Sequence, residues 1–322
     1  MTDVSTKTQS LCPHCLRRIG AFRIVKDDAV YLEKSCPEHG SLEKVLIWKN
    51  NPKNYNEWKR PSGMPVSISS GVSEDLSILS SADGCPYECG LCSNHKQSTC
   101  SVILEVTGRC NIHCPVCFAS SETSAGADPD VKRIEQMLRN AYDTAGRCPI
   151  QLSGGEPTLR DDLPQIIAVA RETGFDHIQV NTNGIRIAQD IAYGRALKDA
   201  GVTDFYLQFD GLTDDVYRRI RGADLLQIKL KALGRCAALR VGVILVPTLV
   251  KGVNDSQIGS IIQFAKKQMP TVKGVHYQPL TYVGRYPSAP RNEERMLIPD
   301  ILMAIEKQTD GELKQENFIP PG

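Results

Sequence analysis

The chain has 322 residues, 41% of them hydrophobic and 23% charged, and 38 Lys+Arg against 37 Asp+Glu leave a net charge of +1. That length buries one large core, or one core plus a small module. The charge balance excludes a coat for nucleic acid or for an anionic membrane, either of which calls for a basic excess.

No run of about 18 apolar residues is present to span a bilayer. The opening MTDVSTKTQS has neither a basic n-region nor an apolar h-region, so the expectation is a cytoplasmic protein that keeps its thiols reduced. In that setting twelve cysteines are the unusual feature, and ten of them fall at or before Cys117. Reduced and clustered, they are expected to serve as metal ligands.

Residues 1–50 read as a metal-binding knuckle. Cys12-x2-Cys15 and Cys36-Pro-Glu-His39 bracket a strand-like stretch in which Phe22, Ile24, Val25 and then Val30, Tyr31, Leu32 flank Asp27-Asp28 like a hairpin. Two such turns bring four ligands around one ion, which also stabilises a segment this short. The set Cys12, Cys15, Cys36 and His39 fits a mononuclear zinc as in a zinc ribbon, or iron as in rubredoxin. His14, inside the first turn, is the weaker ligand candidate. Residues 51–100 read as a connector rich in Asn, Pro, Ser and Gly. It carries Cys85-x3-Cys89-x2-Cys92, with Cys100 as a fourth thiol.

From residue 101 a β/α alternation sets in. Strands are expected at 102–106, 150–152, 177–181, 205–209, 241–246 and 274–278. Helices are expected at 131–142 (Ile134, Met137, Leu138 and Ala141 on one face), 163–171, 225–239 (Leu226, Leu230, Leu233, Ala237) and 258–267. Six units are too few for a closed eight-stranded barrel. The fold class expected over 101–290 is therefore α/β, a partial (β/α)6 TIM-type barrel or an open wound sheet, with the small knuckle appended and a C-terminal helix and tail over 291–322. In either architecture the chemistry belongs at the C-terminal strand ends. There stand Cys110, Ser153-Gly-Gly-Glu-Pro157, Thr182-Asn-Gly184, Asp210-Gly211 and Pro247. Cys148 and Cys236 stand alone and are expected to pack as small apolar residues.

Cys110, Cys114 and Cys117 lie within eight residues. Three thiolates can hold three irons of a [4Fe–4S] cube and leave the fourth open, and an open position marks a catalytic site. With Arg109 and Phe118 at its flanks, the motif CNIHCPVC resembles the signature of the radical S-adenosylmethionine (SAM) superfamily, and Gly154-Gly155-Glu156-Pro157 resembles its second motif. The resemblance implies that SAM chelates the open iron and is cleaved reductively to a 5′-deoxyadenosyl radical, with the protein supplying orientation. It makes Gly154, Gly155, Glu156 and Pro157 candidate cofactor contacts, with Glu156 or nearby carbonyls receiving the SAM ammonium. Asn183 and Gln208 become candidate ribose or carboxylate contacts, and 246–249 would lie near adenine. Where the superfamily often has an aromatic residue before the last cysteine, this chain has Val116, and Phe118 follows the motif instead. His113 is expected not to be a ligand, because it would close the open iron. Arg109, Arg221 and Arg285 are expected to be ordinary solvated residues.

GCPYECGLC repeats the same cysteine spacing without a preceding strand. It reads as an auxiliary [4Fe–4S] site formed by Cys85, Cys89, Cys92 and Cys100, with zinc as the alternative. The whole layout resembles one branch of the superfamily, comprising tetraether lipid synthases, the radical SAM methylases of pterin biosynthesis and the (seleno)proteins called TrsS. Members of that branch continue into a cysteine-bearing tail where this chain ends at Gly322. The expectation is either a tail-less member or a stop at a selenocysteine codon.

The function expected is that of a radical SAM enzyme of oxidoreductase or methylase type. It would abstract hydrogen from an unactivated carbon of a small-molecule or lipid substrate and draw electrons from a low-potential ferredoxin- or flavodoxin-type donor. Two alternatives of other classes are a zinc-bearing nucleic-acid-associated protein and a multi-cluster electron carrier. The neutral charge argues against the first and the 154–157 motif against the second.

Overall fold

The computed structural model describes residues 5–51, 53–58, 99–122, 126–288 and 290–320. The chain forms two compact units, one made of the N-terminal segment together with the C-terminal residues from Pro290, the other essentially residues 98–289.

In the first unit β1 (Ser5–Leu11), β2 (Arg18–Lys26), β3 (Ala29–Cys36), β4 (Gly40–Ser41) and β5 (Val45–Lys49) make an antiparallel sheet. The expected hairpin is present, with Val25 facing Val30 and Lys26 facing Ala29. Its two linking residues, Asp27 and Asp28, both have positive φ (49° and 58°), the conformation a two-residue turn of type I′ requires and Asp tolerates. The C-terminal segment fastens to β5. Asn292 bridges the Leu46 amide and the Lys44 carbonyl, both at 2.8 Å, and Lys49 pairs with Asp300 at 2.6 Å on the C-terminal helix, residues 298–308.

The second unit holds six parallel strands: β6 (Val102–Thr107), β7 (Ile150–Gly154), β8 (Ile178–Thr182), β9 (Asp204–Gln208), β10 (Gly242–Val246) and, after the short β11 (Thr248–Leu249), β12 (Val272–Val275). Sequence neighbours are sheet neighbours throughout, from β6 at one edge to β12 at the other, and no strand closes the ring among the described residues. This is the partial barrel expected, a parallel α/β core. Strand β13 (Gln278–Pro279) pairs with β11.

Seven helices follow the strands: α1 (Val131–Ala145), α2 (Leu163–Thr173), α3 (Ile185–Gln189), α4 (Ile191–Ala200), α5 (Asp214–Arg221), α6 (Leu226–Leu239) and α7 (Ile258–Lys267); the C-terminal helix (Ile298–Gln308) is α8. Asp130 caps α1 and Asp190 caps α4 through their carboxylates.

The period of two along each strand splits the side chains into two sets. Leu104 and Val106, Ile150 and Leu152, Ile178 and Val180, Phe205 and Leu207, and Val243 and Leu245 are buried in one core with Ile134, Leu138, Ile166, Ile167, Leu197 and Ile261 of the helices. Each such side chain contributes about 1.5–3 kcal/mol by burial. The residues between them, among them Glu105, Gln151, Ser153, Asn181 and Gln208, face a cavity on the other side of the sheet.

Two expectations need correction. The buried stripe of α6 is Lys229, Ala232, Leu233, Cys236 and Leu239; of the expected Leu226, Leu230, Leu233 and Ala237 only Leu233 belongs to it, because a lysine inside the core face disguised the true period. The last strand spans 272–275 and not 274–278, because the chain leaves this sheet after Val275 and Gln278 pairs instead with Thr248 of β11. Cys148 and Cys236 are both buried in the core. Among the described residues no helix is long and apolar enough to cross a membrane.

Candidate active site and metal sites

In the first unit, Cys12, Cys15, Cys36 and His39 are the one set of three or more ligand-type residues, among those described, whose ligand atoms all lie within 4.8 Å of one another. The Cys15 and Cys36 sulfurs are 3.8 Å apart, and His39 Nδ1 lies 3.7 Å from Cys12 Sγ and 3.4 Å from Cys36 Sγ. A tetrahedral ion with metal–sulfur bonds of about 2.3 Å sets its sulfurs about 3.8 Å apart. The geometry thus fits one mononuclear ion, with Nδ1 as the histidine donor. His14 lies against His39 with the rings tilted by 32° and their centres 5.0 Å apart, without joining the set.

In the second unit a cavity of about 590 Å³ opens at the C-terminal ends of the strands, a size that suits small-molecule ligands. Cys110, Cys114, Cys117, Phe118, Gly154, Gly155, Glu156, Asn183 and Gln208 all line it. The three thiols do not converge within 4.8 Å as the knuckle ligands do, so they suit a cluster with one iron per thiolate rather than a single ion. Burial pushes the Cys110 thiol up to about 11 and raises that of Cys114, which the Arg221 guanidinium pulls partly back down. A bound metal ion supplies the charge that removes such protons. Asn181 Oδ1 is buried in the same cavity wall without a partner among the described residues, and can accept from a donor on a ligand. The residues present therefore fit both a three-thiolate cluster and a polar molecule beside it.

The two glycines of the second motif serve the wall itself. Gly155 N donates to the Thr107 carbonyl at 2.9 Å and Glu156 N to that of Arg109 at 2.8 Å. A Cβ on Gly154 or Gly155 would lie 2.1 Å from the Thr107 or Arg109 oxygen respectively. Close approach here is main chain to main chain, seating β7 against the loop that leads into Cys110.

Glu156 is likewise committed. Its Oε1 accepts from Thr158 N (3.1 Å), Thr158 Oγ1 (2.5 Å) and Thr182 Oγ1 (2.7 Å), and Oε2 accepts from Asn183 N (2.6 Å). Pro157 is buried and opens a single 3₁₀ turn behind it. Asn183 donates through Nδ2 to Asn111 Oδ1 at 2.7 Å, and its Oδ1 accepts from Ile185 N at 3.0 Å. It thereby ties the end of β8 to the cysteine loop. Phe118 is 67% exposed at the cavity mouth.

Arg221 and Arg285 are not the solvated residues expected. Arg221 is buried and forms a two-pronged ion pair with Asp210, Nε to Oδ2 at 2.7 Å and Nη2 to Oδ1 at 2.8 Å. The same guanidinium donates to Thr248 Oγ1 (2.9 Å) and the Val116 carbonyl (3.3 Å) and reaches the Cys114 thiol. Burial disfavours its charge, but Asp210 more than offsets that and raises its pKa.

Arg285 clamps the loop from the other side. Nε donates to the Cys114 carbonyl at 2.7 Å and Nη2 to that of Ser121 at 3.1 Å, while its main chain exchanges two 2.8 Å bonds with Cys117. Arg109 is held by Asp128. The Arg–Gly pair at 221–222, ending a helix begun after Asp210-Gly211, is the one signal that could have exposed the first of these.

Cys85, Cys89 and Cys92 lie outside the described residues. Cys100 is exposed and precedes β6, so the strand, about 20 Å for six residues, separates it from the loop that carries Cys110.

Comparison with known proteins agrees with this arrangement. The radical SAM superfamily pattern matches residues 104–265, half of the chain. The pattern of the HMPTM N-terminal zinc ribbon domain matches residues 4–49. The chain is 40% identical over 321 residues to the 7,8-dihydro-6-hydroxymethylpterin dimethyltransferase of Methanocaldococcus jannaschii, an alignment covering 98% of this chain and 61% of that relative. A probable GTP 3′,8-cyclase of Methanothermobacter thermautotrophicus is 33% identical over 177 residues, 54% of this chain and 56% of its own.

The chain therefore spans about three fifths of the length of these relatives. Among solved structures, anSMEcpe with bound AdoMet (TM-score 0.53, 16% identity, 66% of this chain and 59% of that one) shares the fold. So does HydG, a maturase of the [FeFe]-hydrogenase (TM-score 0.52, 11% identity, 66% and 50%). With its thiol loop at the mouth of a partial barrel and half its length matched to the family pattern, the chain belongs to the radical SAM superfamily.

Proposed function

We propose that this chain is an enzyme that cleaves SAM and acts on an uncharged, hydrogen-bonding heterocycle of the dihydropterin kind. Cys110, Cys114 and Cys117 ligate a [4Fe–4S] cluster, and the knuckle holds one zinc or iron ion. When bound, the cluster and SAM supply the reductive chemistry that yields a 5′-deoxyadenosyl radical able to take hydrogen from an unactivated carbon. The chain's own residues hold and orient. Arg285 and Arg221 fix the cysteine loop from two sides, Glu156 braces the ends of β7 and β8, and Gln208 offers its amide to SAM. The electron comes from a low-potential ferredoxin- or flavodoxin-type donor in the cytoplasm. Cys100, with Cys85, Cys89 and Cys92, belongs to an auxiliary cluster in this reading.

The observation that carries the substrate class is the polarity of the strand face. Gln151, Ser153, Asn181, Tyr206, Gln208 and Gln278 line the cavity, whereas Arg221, already paired with Asp210, is the one cation among the described lining residues. Burial holds His276, also in the wall, below its ordinary value and hence neutral near pH 7. Amides and hydroxyls match the donors and acceptors of a flat heterocycle. A nucleoside triphosphate needs cations that this wall does not supply.

The test is deuterium transfer. The reconstituted protein, reduced and given SAM with deuterated 6-hydroxymethyl-7,8-dihydropterin, is expected to place deuterium in 5′-deoxyadenosine, whereas deuterated GTP leaves it unlabelled. Label arriving from GTP and not from the pterin would replace this substrate assignment.

A further inference from the structure

Lys229 of α6 is fully buried, yet among the described residues it neither lines the cavity nor forms an ion pair. Its Nζ donates to the Asn183 carbonyl at 2.5 Å and to Gln208 Oε1 at 3.0 Å, and lies 5.9 Å from the centre of the Tyr217 ring. Two of the strand-end motifs around the cavity, after β8 and at the end of β9, therefore meet on one ammonium group. Burial pushes this lysine down to about 8, against the opposing pull of Asp210. A methionine of similar length would avoid that cost, so the position calls for an account.

The geometry of Gln208 supplies one. An amide has one acceptor end and one donor end. Because Oε1 is taken by Lys229, Nε2 is the end left for the cavity, and it has no hydrogen-bond partner among the described residues. Were the amide free to turn over, half of its orientations would show SAM an acceptor instead of a donor. Lysine has three donors and no acceptor, so it can bond only the oxygen of that amide and enforces one orientation. A second glutamine or a serine could bond either end.

We infer that Lys229 is a positioning residue: it locks the Gln208 side chain with its NH2 group toward the cavity, presenting a fixed donor to an oxygen of SAM. The inference rests on the contact between Gln208 and SAM proposed above.

A double-mutant cycle on the anaerobically reconstituted protein tests it, with the dissociation constant for SAM read by equilibrium binding beside iron content and melting temperature. Gln208→Ala is expected to weaken SAM binding about tenfold, the worth of one hydrogen bond, and Lys229→Met about twofold, the cost of leaving the amide in two orientations. Combined, they should weaken it no further than Gln208→Ala alone, with iron content unchanged.

Wild-type affinity in Lys229→Met, or an equal loss from it with and without Gln208, would overturn the inference, since the lysine would then act by another route. Wild-type affinity in Gln208→Ala would remove the Gln208 contact itself and the inference with it, while leaving the cluster assignment standing. If Lys229→Met does not fold, Gln208→Glu decides. Its carboxylate pairs with Lys229 and offers the cavity no donor, so SAM affinity should fall about tenfold while the melting temperature holds or rises. Unchanged affinity in that variant would overturn the inference equally.

Discussion

Replacing Asp210 by alanine is expected to cost the second unit about 3–5 kcal/mol of stability, the range for removing one partner of a buried ion pair. Arg221 does not titrate out of the difficulty, since a guanidinium stays charged at any ordinary pH. The variant would hold an uncompensated cation beside the cysteine loop. Asp210 is fully buried and also accepts from the Thr248 amide at 3.0 Å, so a second buried donor is orphaned at the same time. At about 2–4 °C per kcal/mol for a domain of this size, the melting temperature should drop by roughly 10 °C in a thermal unfolding scan. Removing both charges in Asp210→Ala/Arg221→Met should recover a large part of that loss, because an apolar pair of similar volume carries no buried charge. A change below about 1 kcal/mol in the single variant would contradict the reading of this pair as the strut between β9, α5 and the cysteine loop.

A methyl group on Gly155 is expected to do comparable damage with no change of charge. Its Cβ would stand 2.1 Å from the Arg109 oxygen, 2.6 Å from the carbon of that carbonyl and 2.9 Å from the Gly108 oxygen. These are main-chain atoms, so no rotamer change relieves the contact. The loop before Cys110 must move, and the bond from Glu156 N to the Arg109 carbonyl stretches with it. Overpacking of this kind costs about 1–3 kcal/mol, occasionally more.

The sharper readout is metal. Gly155→Ala should retain less than about half of the wild-type iron after anaerobic reconstitution, because a displacement of an ångström spoils a preformed site. Gly234→Ala is the matched control. Nothing lies within 4 Å of its added Cβ, and in the interior of α6 alanine is favoured over glycine by up to about 1 kcal/mol. Full iron content in Gly155→Ala would sink the packing role assigned to that glycine.

Much of this arrangement is legible in the sequence, and the parts that are not share a physical cause. The strands are legible because each alternates a core residue with a cavity residue, and α7 because Ile258, Ile261 and Ala265 keep helical spacing on one buried face. The hairpin at Asp27-Asp28 is legible because few residue pairs accept two positive φ values in succession. The thiol loop is legible because its residue type and spacing are rare together. Helix α3 escapes notice because five residues are too few to show a period, and α4 because its buried face, Tyr193, Gly194 and Leu197, holds a glycine and a single aliphatic residue.

The charged residues behind the cavity escape notice for a different reason. Beyond the Gly222 that follows it, nothing local separates the buried Arg221 from the exposed Arg218 three residues earlier on α5; burial is decided by where Asp210 and Val116 arrive in space. Lys229 goes unnoticed because a lysine on a helix suggests the solvent face, whereas it lies in the buried stripe with Ala232, Leu233 and Cys236. Glu156 shows the remaining gap. Its position in the second motif is plain from the sequence, but its four donors come from Thr158, Thr182 and Asn183, and only the fold brings β8 to it.

The central claim is that three thiols in one loop of this barrel support cleavage of SAM. The direct measurement is 5′-deoxyadenosine formed by the anaerobically reconstituted, dithionite-reduced protein given SAM, with iron and sulfide counted in the same sample. The account predicts product from the wild-type chain and none from Cys114→Ala, which leaves the knuckle and its metal intact. Wild-type protein that carries a well-formed cluster and yet releases no 5′-deoxyadenosine would contradict it.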